Sequence, residues 1–122
     1  MSYDIRFAVE TVHPNKFGEC FAVVDAPAND SPTYNVGSIF RACMGWDFEQ
    51  GVWYPMAEAL EHIDKGIGNL RGNFDAYRHL EPENKWGTVE TVWNCLTSWR
   101  EEIESPYGVT GRWPIETLWW RW

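Results

Sequence analysis

Basic side chains are scarce in this sequence: ten Lys and Arg face eighteen Asp and Glu in 122 residues, a formal net charge of −8. Non-specific nucleic-acid binding needs clustered cations to neutralise phosphates, so this balance argues against direct nucleic-acid contact. It equally disfavours anionic membrane surfaces. Long hydrophobic runs are missing too: the longest are of about five residues, where a membrane-spanning helix needs about 20. The opening Met1-Ser2-Tyr3-Asp4-Ile5-Arg6 has no positive segment leading into an apolar one, so no signal peptide is expected. Cysteine is limited to Cys20, Cys43 and Cys95, an odd number without C-x-x-C or Cys/His finger spacing. Each stands among apolar neighbours, so reduced core thiols in a cytoplasmic protein are expected.

Motifs that carry chemistry are also lacking. There is no G-x-S-x-G elbow, and His13, His62 and His79 fall in a turn, on a helix face and in a connector. Glu58 and His62 share a helical face, but zinc-binding helices offer two His at that spacing plus a third ligand. Gly66-x-Gly68 ends a helix instead of opening one, so it does not cradle a phosphate. The reading is a protein that is not an enzyme and has neither metal nor cofactor.

Aromatic residues are abundant, with nine Trp, five Tyr and six Phe. Area scaling gives about 6,800 Å² exposed when folded against about 20,700 Å² for the extended chain, enough burial for one ordinary core. A single domain over 1–122 is expected. Tyr3, Ile5, Phe7 and Val9 alternate with Asp4, Arg6 and Glu10, which predicts a strand over 3–12. A turn at His13-Pro14-Asn15-Lys16 leads to a second strand over 18–26, closing an antiparallel hairpin at 3–26. Residues 35–104 form the helical part. Asn35 is read as the N-cap of a short helix carrying Val36, Ile39, Phe40 and Cys43, ended by a left-handed Gly45. An aromatic loop follows over 46–54.

Pro55 opens a helix whose stripe is Met56, Leu60, Ile63, Ile67 and Leu70, with Glu58, Glu61, Asp64 and Lys65 pointing away. A Gly- and Pro-containing connector over 71–87 holds a turn of helix at 75–80. Thr88 begins the strongest helix, with Val89, Val92, Trp93, Leu96, Trp99 and Ile103 on one side. In the Trp-rich segment 107–122, Pro114 precedes Ile115, Leu118, Trp119 and Trp122 at helical spacing, which predicts a short amphipathic helix. The fold class is α+β: an N-terminal antiparallel hairpin packed against three to four helices.

Two features carry the functional reading. Glu101, Glu102 and Glu104 crowd the C-terminal turn of the Thr88 helix, where negative charge opposes the helix dipole. Glu58, Glu61 and Asp64 form a second row on the Met56 helix. Both rows read either as solvated faces that keep the protein in solution or as a surface that meets a basic groove. The second feature is tryptophan outside the helical stripes. Trp46, Trp53 and Trp86 lie in expected loops, and Trp119, Trp120 and Trp122 crowd the last residues. Chain ends fray unless docked, so this last group docks on its own domain, on a second copy or on a partner.

The Tyr3-Asp4-Ile5 strand start, the hairpin, Thr33-Tyr34-Asn35 and the two helices joined by a connector containing Trp86 resemble small proteins encoded by phages and prophages. The resemblance covers residues 3–104, and the tail from Tyr107 departs from it. It carries no catalytic residue. It implies an anti-defence inhibitor, of anti-CRISPR or anti-restriction type, whose partner is a basic host protein such as a nuclease or nucleic-acid-binding complex. Two alternatives stand beside this one. Trp46, Trp53 and Trp86 could stack on a nucleotide or sugar, or the Trp-rich segment could join copies of a virion or assembly protein.

Overall fold

The computed structural model describes residues 2–11, 16 and 20–122. Alternation along the first segment becomes strand β1, Arg6–Glu10, with Phe7 and Val9 turned into the core. Tyr3 and Ile5 extend the same inward row. Their N–H groups donate to the carbonyls of Pro32 and Asp30, so the strand predicted from residue 3 begins as a loop-paired segment. Strand β2, Phe21–Asp25, pairs antiparallel with β1 and closes the expected hairpin. Its expected turn at His13–Asn15 and its start at Gly18 lie outside the described residues.

Thr33, not Asn35, caps the next element: its hydroxyl accepts from Asn35 N at 3.3 Å and starts a 3-10 turn, Tyr34–Val36. Asn35 stays exposed inside that turn. Helix α1, Gly37–Met44, follows and ends on left-handed Gly45 (φ 62°). The expected aromatic loop contains a strand, β3, Tyr54–Pro55. Helix α2, Met56–Leu70, buries the predicted stripe, and side chains on it finish α1. Asn69 donates to Cys43 O at 2.7 Å, and the His62 ring bonds Met44 O at 2.8 Å, satisfying carbonyls that α1 leaves unpaired. A 3-10 turn, Phe74–Leu80, occupies the connector. Helix α3, Val89–Glu104, opens with a reciprocal box in which Thr88 Oγ1 accepts from Thr91 N while Thr91 Oγ1 accepts from Thr88 N. Trp99 is fully buried on its stripe, whereas Trp93 is half-buried against Phe74.

The terminal amphipathic helix is not formed. A short α4, Val109–Arg112, and a 3-10 turn, Ile115–Thr117, lead into strand β4, Leu118–Arg121. The period that prevails is two: Leu118, Trp120 and Trp122 point inward while Trp119 and Arg121 point outward. Pro114 stops α4, and aromatic side chains favour a pleated, half-buried surface. β4 inserts between β1 and β3, giving a four-stranded antiparallel sheet in the order β2-β1-β4-β3. The fold is therefore α+β, with the hairpin forming part of a larger sheet. The core lies between its inner face and the helices, and 6936 Å² of surface remains exposed, as the chain length predicts.

Candidate functional site

Helices α2 and α3 run side by side and leave a groove of about 620 Å³ between them. One carboxylate of the α2 row and two of the cluster ending α3 line it: Asp64 from α2 and Glu101 and Glu104 from α3, together with Arg71 and Arg100. Arg100 joins the two helices. Its Nε lies 2.6 Å from Asp64 Oδ1 and its Nη2 lies 3.0 Å from Glu104 Oε2. Two of the six candidate carboxylates are thereby neutralised from within. Glu102 is turned away from the others: it accepts from the Ala28 N–H at 2.8 Å and holds the loop that leaves β2. Burial pushes its carboxyl above the ordinary carboxylate range and nearby Asp25 adds to the push, while the Ala28 bond opposes both. That bond, and its half-buried position, set Glu102 apart from the other five carboxylates.

Glu58, Glu61 and Glu101 are left. All three are exposed, and none has a cation partner among the described residues. Lys65, on the same exposed face of α2, does not shield them, because its ammonium is drawn over Gly45 at the end of α1. A cation at a helix C-terminus is favourably placed against the dipole.

The candidate tryptophans divide by burial. Trp46, Trp120 and Trp122 are core residues, which corrects their assignment as contact residues. Trp46 meets Trp120 and Trp122 edge-on at 4.7 and 5.2 Å, and Trp122 stacks on Tyr3 at 4.0 Å. The terminal residue is fastened at two points: Trp122 Nε1 donates to Phe48 O, and its carbonyl accepts from Gly51 N. Trp53 and Trp119 lie half-buried on the outer sheet face with Phe21. Its ring is 5.3 Å from Trp53 and 5.1 Å from Trp119, and the Arg121 guanidinium sits 4.8 Å above Trp53. These rings cover Ala8, whose small side chain leaves the space they fill. Only Trp86 stands out in solvent, at 71% exposure, on the connector. Trp46, Trp53 and Trp86 therefore occupy the core, the outer face and a loop, and do not converge on one ligand.

Cys43 and Cys95 are buried, and burial pushes both thiols up to about 12, so neither is a ready nucleophile. Cys20 is exposed, against the expectation of three buried thiols, because it precedes an edge strand. Sequence reasoning missed Tyr107, 93% exposed one turn beyond Glu104. Its place in the stop signal after α3 was the available clue. No group of His, Cys, Asp and Glu able to hold a metal occurs among the described residues, and none of their helices is long and apolar enough to cross a membrane. No family model, curated protein or solved structure matches the chain.

Proposed function

We propose that this chain is a non-catalytic binding protein that engages a basic protein surface through the carboxylates of α2 and α3. The observation that carries the reading is a set of exposed carboxylates without a cation partner among the described residues, Glu58 and Glu61 on α2 and Glu101 on α3, the last lining the groove that also holds Asp64 and Glu104. Their number exceeds what Arg100 neutralises, and a net charge of −8 extends the same field outward. Such a field speeds encounter with a cationic partner and discriminates against acidic ones. A surface built to hold a nucleic-acid backbone has the complementary charge, and occupying one makes the protein an inhibitor of a nucleic-acid-handling host protein. Tyr107 and Trp86 supply exposed aromatic area of the kind that anchors interfaces.

The test uses the full chain and the triple reversal E58K/E61K/E101K to capture partners from the lysate of a bacterial host. The expected result is a basic protein retained by the wild type, released by raised salt, displaced by DNA and lost with the reversal. Retention of the same partner by the reversal at equal strength and equal salt sensitivity would overturn the reading.

A further inference from the structure

Strand β2 is an edge of the sheet: among the described residues it pairs with β1 alone. Edge strands expose unsatisfied main-chain donors and acceptors, and proteins blunt them with lysine, proline, a bulge or a covering element. The register of β2 is irregular at Val24, opposite the Phe7–Ala8 step, while Phe21–Val23 pair with β1 in regular order. Phe21-Ala22-Val23-Val24 contains no charge and no proline. Val23 is 54% exposed and Ala22 is exposed as well. The direction of the free main-chain groups follows from the register. Thr11 N donates to Cys20 O at 2.6 Å, so Thr11 and Cys20 form a hydrogen-bonded pair, and two residues along so do Val9 and Ala22. The intervening Phe21 and Val23 therefore direct their N–H and C=O groups outward.

We propose that β2 is a self-association edge, and that a second copy of this chain pairs antiparallel with it about a two-fold axis at Ala22. That register makes the fullest use of the outward groups of Phe21 and Val23. Phe21 lies opposite Val23 of the second copy and Val23 opposite its Phe21, so both pairs join residues whose free groups point outward, and each exchanges two main-chain bonds. Phe21 and Val23 share the outer face, so each pair also places an aromatic ring against a β-branched side chain, a favourable cross-strand combination. Shifting the pairing by one residue sets outward-pointing groups against inward-pointing ones and loses both gains. Two copies each carrying −8 repel at long range, but the stretch Phe21–Val24 around the axis is itself uncharged. Asp25, at the end of β2, is drawn to Arg112 at 3.9 Å. On the inner side an open groove of about 580 Å³, lined by Val9, Ala22, Val24, Trp113 and Pro114, reaches the same edge. The axis at Ala22 joins it to the matching groove of the second copy. A continuous eight-stranded sheet results, with β2 at its centre. This edge replaces the Trp-rich segment, now folded into β4, as the surface where copies meet.

The test is the solution mass of the full chain by sedimentation over a dilution series. The expected result is twice the 14.3 kDa chain mass at high concentration, falling to the monomer on dilution. V23K is expected to stay monomeric with an unchanged circular dichroism spectrum, and V23T to keep the dimer. In a C20S background, A22C is expected to form a disulfide-linked dimer on oxidation, because non-hydrogen-bonded pairs bring Cα atoms to about 4.5 Å, within the span of a disulfide. A wild type that remains monomeric up to about 1 mM, weaker than any specific complex of use, overturns the proposal. So does a dimer that survives V23K, or one that A22C fails to crosslink.

Discussion

Arg78 shows how much one side chain ties together. Its guanidinium reaches Glu90 on α3, Glu81 at 3.2 Å and Asp75 at 3.6 Å, and Glu81 also accepts from the Val89 N–H at 2.9 Å. The connector is thereby pinned to the first turn of α3, where negative charge is favoured by the helix dipole. The Arg78 hydrogen bond holds the Glu90 carboxyl down at about 2, from an ordinary 4.5. A carboxylate depressed in the folded state adds stability that is complete above its unfolded value and lost as pH falls through the folded one. The urea midpoint of the wild type is therefore expected to decline between pH 4.5 and about 2, and that of E90Q to decline less over the same window. Equal slopes for the two proteins would show that Glu90 is not coupled to folding. The network joins residues twelve apart through a connector, so the sequence offered the charges without the partnership.

At the scale of elements, the two long helices were legible because five or six apolar positions repeat at intervals of three and four, which no strand reproduces. The final segment was not. Ile115, Leu118, Trp119 and Trp122 satisfy the helical period, while Leu118, Trp120 and Trp122 satisfy the period of two, and a segment this short fits both. The choice is made by β1, which offers its second edge to Leu118–Arg121, a partner more than a hundred residues away in sequence. The carboxylate rows were legible for the same reason as their helices, whereas the bridge from Arg100 to Asp64 spans thirty-six residues and depends on helix packing. That packing also separates two glycines of α2. A Cβ at Gly66 would sit 2.8 Å from Met44 Cγ and 2.9 Å from Leu96 Cδ1, where α1, α2 and α3 converge. A Cβ at Gly68 would meet nothing within 4 Å. Alanine improves helix propensity by up to about 1 kcal/mol at either site, but overpacking costs about 1–3 kcal/mol. Thermal denaturation is expected to show G68A raised and G66A lowered. A G66A protein as stable as G68A would mean the three helices yield without cost.

For the whole molecule, the aromatic excess and the acidic excess occupy different places. Charge collects on the outer faces of α2 and α3, whereas most large rings close the core or roof the outer sheet face over Ala8. Trp120 is at the centre of that arrangement. It sits on β4, the strand between β1 and β3, and touches Trp46, Trp99 and Trp122. Removing a buried tryptophan side chain costs about 3–5 kcal/mol, a large share of the roughly 5–15 kcal/mol that holds a domain together. Deleting residues 118–122 removes more, since it takes the only neighbour of β3 among the described residues and leaves Tyr3 without its stacked ring. Trp86, by contrast, stands in solvent, and its replacement by alanine is expected to change stability by no more than about 0.5 kcal/mol. Urea titration of W120A, W86A and the 1–117 truncation separates these cases. W86A should match the wild type, W120A should lose several kcal/mol, and the truncation should show no cooperative transition. A truncation that still unfolded cooperatively would make the Trp-rich segment an appendage instead of the strand that completes the sheet.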